Sequence, residues 1–358
     1  MDVPGHAGAR ERVTAGAPTP SRRVVTTRSS EEKLVTIAFN DVRAAADRIA
    51  GHTRPLVVAP LGDRAFDGAF GEAEGWLALE FMQHTGSFKA RGAYNFVRSH
   101  IEAGLMPDAG VVIASGGNAG LACAWAAARH SVQATVFVPE AAPAVKVDRL
   151  RRLGATVRQV GSEYAEALAA SQKYAAESGA LESHAYDHPL IAAGAGTVME
   201  ELVQALPGVD TVLVAVGGGG LFTGIAASAR EHGVRVVAVE PEHCCALHSA
   251  LQAGAVVDVP VDSVAADSLG ARRTSEMALE WAGKDHVRSV LVTDEAIVSA
   301  RQALWDDRRL AVEHAAATAL AAVTSGVYTP APGERVAVIL CGANTDPGDL
   351  TRGTRLPG

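Results

Sequence analysis

The sequence predicts an α/β protein built on parallel sheets, and three observations carry that reading. Short apolar strands alternate with helical patterns in two separate runs, glycine-rich turns join strands to helices, and the 358 residues suffice for two cores. The first run places strands at 111–114, 134–138 and 156–160, with helices at 116–129, 144–152 and 163–178. In the second, helices at 196–206 and 221–232 flank a strand at 211–216, and a further strand lies at 234–239. Strands at 289–292 and 336–340 and helices at 294–307 and 312–324 complete it. No linker-like composition divides the runs, so one domain is expected to be inserted in the other. Residues 36–95 and 187–358 would form the large domain and 96–186 the small one, each a three-layer αβα sandwich, behind a disordered tail at 1–35.

The tail is read from its Gly, Pro, Ser, Thr and Arg content and its lack of apolar periodicity. It has no apolar core of a secretory signal, and its glycines and prolines argue against an amphipathic transit helix. Ordered structure is expected from Ile37, with a first helix capped by Asn40 and stopped at Gly51. Residues 56–70 read as loop and extended chain, and 77–81 as a buried strand. The formal charge of −8, with no long basic run, excludes a nucleic-acid partner, and no apolar stretch is long enough to span a membrane. Cys123, Cys244, Cys245 and Cys341 fit neither a zinc pattern nor a disulfide framework. A cytoplasmic setting is the default.

Lys89 is the candidate reactive group. It lies in Thr85-Gly86-Ser87-Phe88-Lys89-Ala90-Arg91-Gly92-Ala93, where the chain passes from strand to helix, with Ser87 as the expected N-cap. A cation at a helix N-terminus opposes the helix dipole, which lowers its pKa and favours a nucleophilic neutral amine. The plain alternative is a solvated surface lysine.

Three other stretches lie at the ends of expected strands. Gly217, Gly218, Gly219 and Gly220 let backbone amides approach a ligand at a helix N-terminus, a ready anion site. They lack the Lys-Ser/Thr of a nucleotide P-loop and the spacing of a dinucleotide fingerprint, although Glu240 imitates a ribose-binding acid. A tight turn is the structural alternative. Ser115, Gly116, Gly117, Asn118 and Ala119 offer amides, a hydroxyl and a carboxamide, suited to a carboxylate or an oxygen of an aromatic cofactor; a capped turn would look the same. Cys341 ends a buried strand, where open α/β sheets place ligands, although a lone cysteine there also serves as core. A reactive lysine, an anion cradle and a carboxylate-sized pocket together suggest pyridoxal phosphate held by a Schiff base.

In order and spacing, Ser87-Phe88-Lys89-Ala90-Arg91-Gly92-Ala93, the stretch from Ser115 to Gly120, the four glycines and Cys341-Gly342-Ala343-Asn344 resemble the serine/threonine dehydratases. These ammonia-lyases belong to the tryptophan-synthase-β-like, fold type II pyridoxal-phosphate enzymes, and the resemblance covers roughly residues 36–346. It implies that Lys89 carries the Schiff base and then removes the α-proton, that Phe88 packs beside the ring and that Asn118 bonds its hydroxyl oxygen. The four glycines would cradle the phosphate, Cys341 would face the pyridine nitrogen, and Ser115 with the loop amides of Gly116, Gly117, Asn118 and Ala119 would hold the substrate carboxylate. The implied reaction is loss of water from L-threonine, L-serine or a larger β-hydroxy amino acid, giving a 2-oxo acid and ammonia. The alternatives are β-replacement, another lyase such as a 3-hydroxyaspartate dehydratase, and a non-catalytic amino-acid binder. A homodimer is the family's common form.

Departures from the family pattern sharpen these expectations. Gly116 stands where serine racemases carry a second serine, so racemisation should be weak. The family's divalent-cation positions read Glu240, Cys244 and Ala246; one carboxylate suits a monovalent cation or none. Two motifs near the substrate read Glu313-His314-Ala315-Ala316-Ala317 and Gly194-Ala195-Gly196-Thr197 rather than Glu-Pro-x-Gly-Ala and Gly-Gln-Gly-Thr. With the sequence ending at Gly358, no regulatory domain of the biosynthetic deaminases is expected.

Overall fold

A computed structural model describes residues 36–62 and 65–351, so the expected tail lies outside the described residues. Among the described residues the strands are β1 Val58–Pro60, β2 Glu74–Ala78, β3 Val111–Ala114, β4 Ala134–Val138, β5 Thr156–Gln159, β6 Leu181–Glu182, β7 Thr211–Ala215, β8 Arg235–Pro241, β9 Val287–Val292 and β10 Arg335–Ile339. The first six α-helices are α1 Phe39–Ile49, α2 Lys89–Glu102, α3 Asn118–Arg129, α4 Ala144–Arg152, α5 Tyr164–Ser178 and α6 Pro189–Ala205. The other six are α7 Gly220–Glu231, α8 Ala246–Ala253, α9 Ala266–Leu269, α10 Glu276–Ala282, α11 Asp294–Arg308 and α12 His314–Thr324.

The strands form two sheets. One has six strands in the order β1-β2-β10-β7-β8-β9, and the other four in the order β5-β4-β3-β6. Every pairing between these strands is parallel except that of the short edge strand β1 with β2, in the stretch read as loop and extended chain. In sequence, β3 to β6 fall between β2 and β7 of the larger sheet. All residues of β7 are buried, as are nearly all of β8 and β10, which explains their continuous apolar runs.

Element boundaries differ from expectation where side chains, not backbone patterns, decide them. The strand expected at 77–81 ends at Ala78, because the next residues turn to bury Glu80 against Arg91 at 2.7 Å. The helix expected at 196–206 starts seven residues earlier, with Pro189 in its first turn and the His188 ring accepting the Leu190 N–H at 3.1 Å. Gly194 and Gly196 are therefore helix interior. A Cβ on Gly196 would stand 2.6 Å from the Gly224 carbonyl oxygen, so the glycines exist to let α6 and α7 touch backbone to backbone. Helix α1 is capped at Ala38 rather than Asn40, with the Asp41 carboxylate accepting the Ala38 N–H at 2.7 Å. The sequence reading also missed β6, α8, α9 and α10.

Candidate active site

The loops after β3, β7 and β10 all open at the carboxyl ends of their strands, where parallel sheets leave room for ligands. They surround one cavity of about 990 Å³. Phe88, Lys89, the 115–119 loop, the four glycines and Cys341 all line it. Chain segments far apart in sequence are stitched together here: the Phe88 N–H donates to the Cys341 carbonyl at 3.0 Å, and Ser87 pairs with Gly342.

Lys89 is the first residue of α2, and Phe88 occupies the N-cap position. The expected cap, Ser87, is buried with its hydroxyl unpartnered, because its extended backbone pairs with Gly342 instead of turning into the helix. The Lys89 Nζ donates to the Ala185 carbonyl at 2.8 Å and lies 4.6 Å from the Phe88 ring centroid. Its pKa is lowered to about 8, chiefly by burial, which the nearby Glu313 carboxylate partly opposes. Desolvation is thus the leading cause, which the sequence pattern alone does not reveal.

The glycine turn carries a positive φ of 98° at Gly219, a conformation that L side chains rarely adopt. The Tyr186 ring packs flat on Gly218, where an added Cβ would come within 2.4 Å of three ring atoms, and the tyrosine hydroxyl donates to the Arg273 carbonyl at 3.0 Å. Tyr186 carries no motif of its own, so it was invisible in the sequence. On the same loop, the His184 Nδ1 accepts N–H groups of Tyr186 at 3.2 Å and Asp187 at 2.8 Å, which leaves Nε2 as the protonated nitrogen of the neutral ring. At the 115–119 loop, the Ser115 hydroxyl accepts the Gly117 N–H at 3.3 Å, and helix α3 begins at Asn118.

Cys341 is 5% exposed, and burial pushes its thiol up to about 12, so it stays protonated. Glu313, noticed in the sequence only as a motif match, is a central feature of the cavity wall. It is 5% exposed, and its carboxylate accepts from Asn118, Ser268 and the Asn344 backbone. The expected cation positions lie apart from the cavity. The two Glu240 oxygens accept the Leu247 and His248 N–H groups at the start of α8, both at 2.8 Å, and the Cys244 thiol donates to the Leu269 carbonyl at 3.2 Å. Burial raises the Glu240 pKa to about 8. Among the described residues, no group of three His, Cys, Asp or Glu side chains is gathered for a metal.

The donor set fits a phosphorylated aromatic aldehyde. It supplies a desolvated amine, a side-chain-free turn at the N-terminus of a twelve-residue helix, a carboxamide and a neutral thiol around one space.

Comparisons with known proteins agree with this geometry. A family model described as "Pyridoxal-phosphate dependent enzyme" matches residues 55–342. An L-threonine ammonia-lyase of Geobacter sulfurreducens is 39% identical over 274 residues, covering 76% of this chain and 67% of that protein. A serine dehydratase-like protein of Mus musculus is 38% identical over 283 residues, covering 75% and 84%. Among solved structures, maize serine racemase matches with a TM-score of 0.80 and 28% identity, covering 88% of this chain and 96% of that one.

Proposed function

This chain belongs to the pyridoxal-phosphate-dependent enzyme family, and we propose that within it the chain is an ammonia-lyase that eliminates water from L-threonine or L-serine. The observation that carries the reading is Lys89: an amine with its pKa near 8, on the wall of a cavity that also holds an anion cradle and a neutral thiol. When bound, pyridoxal phosphate supplies an electron sink for charge developing at the substrate Cα. The amides of Gly217, Gly218, Gly219 and Gly220 would hold its phosphate, Phe88 would pack beside its ring, and Asn118 would donate to its ring oxygen. The protonated Cys341 thiol would face the ring nitrogen and carry no negative charge to draw a proton onto it.

Ser115 and the amides of Gly116, Gly117, Asn118 and Ala119 orient the substrate carboxylate, which fixes the Cα–H bond toward Lys89. The neutral Lys89 Nζ would take the α-proton, the Cβ–O bond would break with the hydroxyl leaving as water on the proton that Lys89 took up, and the enamine product would hydrolyse to a 2-oxo acid and ammonia. Gly116 puts no hydroxyl opposite Lys89, so nothing at that position reprotonates Cα from the other face, which favours elimination over racemisation. Residues 96–186 are proposed as the smaller domain, inserted into the larger one formed by 36–95 and 187–358.

The reading includes a cytoplasmic homodimer. No helix among the described residues is long and apolar enough to cross a membrane. A monovalent cation beside Glu240, Cys244 and Ala246 also belongs to the proposal, since a carboxylate oxygen bonded to one amide keeps a second lone pair; potassium dependence of turnover tests it. The deciding experiment is release of 2-oxobutanoate and ammonia from L-threonine by the purified protein with pyridoxal phosphate. No product, with a cofactor absorption band that still shifts on adding amino acids, would move the function to another β-substituted amino acid.

A further inference from the structure

Asn118 sits in a chain of side chains whose two ends leave no choice of direction. At one end is the Glu313 carboxylate, whose two oxygens accept from every group they meet. It lies 2.9 and 3.1 Å from the Asn118 amide nitrogen, and it also accepts from the Asn344 backbone N–H and the Ser268 hydroxyl, both at 2.8 Å. At the other end is Arg149 of α4, which only donates; it reaches the Asn344 side-chain oxygen at 2.5 Å. Between them, the Asn344 amide nitrogen donates to the Asn118 oxygen at 2.6 Å and to the Thr85 carbonyl at 2.7 Å.

Reversing either amide would set acceptor against acceptor at Glu313 or Thr85, or donor against donor at Arg149. The groups at the ends thus force the orientation of both amides. Gly86 belongs to the same arrangement. It has a φ of 75°, and an added Cβ would stand 2.7 Å from the Asn344 side-chain oxygen. One free donor then remains. Both N–H bonds of the Asn344 amide are spent, the Asn118 oxygen accepts from Asn344, and one Asn118 N–H straddles the two Glu313 oxygens. The second Asn118 N–H is left, on a residue that lines the cavity.

We infer that Glu313, Asn344 and Arg149 are positioning residues that lock Asn118 with one N–H left to donate, and that the ligand atom received there must be a hydrogen-bond acceptor. The inference rests on the proposed placement of the cofactor ring oxygen at Asn118 and deepens it: the site selects a cofactor whose ring carries an acceptor oxygen. Because Asn118 and Arg149 come from the segment bearing the four-stranded sheet and Glu313 and Asn344 from the segment bearing the other, the lock also ties the two sheets together at the site.

The test is cofactor binding, not turnover. Cofactor-free protein is titrated with pyridoxal phosphate and with its 3-deoxy analogue, which lacks the ring hydroxyl. Wild type should prefer the natural cofactor by roughly tenfold, the scale of a hydrogen bond to a charged acceptor. Glu313→Gln replaces the group that holds the Asn118 amide with one that has a single acceptor oxygen in place of two, so the Asn118 N–H is held less firmly and the preference should fall several-fold toward one. Arg149→Met, a milder change on a half-buried side chain, should lower the preference by a smaller factor and keeps the test open if Glu313→Gln folds poorly. Equal weakening of both ligands in Glu313→Gln, or an undiminished preference in both variants, overturns the lock. If wild type itself fails to discriminate, the placement of the ring oxygen at Asn118 is what falls.

Discussion

Lys89 is perturbed by its burial, and this has consequences that can be measured without substrate. An ordinary lysine titrates near 10.5, and in the folded, ligand-free protein this one titrates near 8. Below pH 8 both states carry the proton, and the folded state bears the whole penalty of a desolvated cation. Between 8 and 10.5 the unfolded chain keeps a proton that the folded one has released, so stability attributable to this group rises with pH across that window. Lys89→Met should therefore be more stable than the cofactor-free wild type at pH 7, with the advantage shrinking as pH passes from 8 to 10.5. Denaturant melts at several pH values check this, and a difference that does not change with pH would contradict it. In wild type, the rate at which free pyridoxal phosphate attaches should climb through pH 8 and level off, while Lys89→Ala should lose turnover by at least about a thousandfold, as expected for loss of a nucleophile and base together. Lys89 was legible in the sequence because it sits in a recognisable motif. The cause of its pKa was not, because burial depends on chain segments a hundred residues away, such as the Ala185 carbonyl.

Helix packing shows where local patterns end. Strands β3, β4 and β7 fell within a residue of where their apolar runs predicted, since a strand buried on both faces writes its whole length in hydrophobic residues. Helix α6 did not, because its glycines look like stop signals until the neighbouring helix is seen. A Cβ at Gly224 of α7 would stand 2.2 Å from the Ala192 carbonyl oxygen and 2.4 Å from the Gly196 nitrogen, both backbone atoms that cannot step aside cheaply. Helix propensity alone favours Gly224→Ala by about 1 kcal/mol. Forcing the two helices apart costs about 1–3 kcal/mol or more, so the substitution should lower the melting temperature. A rise would show that α6 and α7 are not packed as described. The same helix carries Glu201, which with Glu80 surrounds the fully buried guanidinium of Arg91 at 2.5 and 2.7 Å. Arg91→Ala leaves the Glu80 carboxylate buried and unpaired, and a loss of about 3–5 kcal/mol is expected; equilibrium unfolding would measure it. Arg91 is visible in the sequence as part of a motif, but its two partners have no pattern linking them to it.

At the scale of the whole molecule, the site is assembled from both sheets. Side chains cross from the four-stranded sheet's segment to the other at Asn118–Glu313, Arg149–Asn344 and Lys146–Asp267, the last at 2.7 Å. The sequence showed the two runs of strands and the strand-end loops, but not that Glu313 would stand where those loops converge, because the convergence comes from the order of strands in space. A ligand filling the cavity touches both segments at once and has no such surface to touch in the unfolded chain. Mass action then ties cofactor binding to the stability of the folded state: at a free concentration one hundred times its dissociation constant, pyridoxal phosphate should add about 2.7 kcal/mol. For a chain of this size that corresponds to a rise of roughly 5 °C in melting temperature over the stripped protein. Lys89→Ala, which keeps the glycine cradle, should show a smaller rise, because noncovalent contacts alone hold the cofactor. Identical melting of wild type with and without cofactor would mean that the ligand does not engage the cavity of the folded chain, and equal shifts in both proteins would mean that Lys89 adds nothing to its retention.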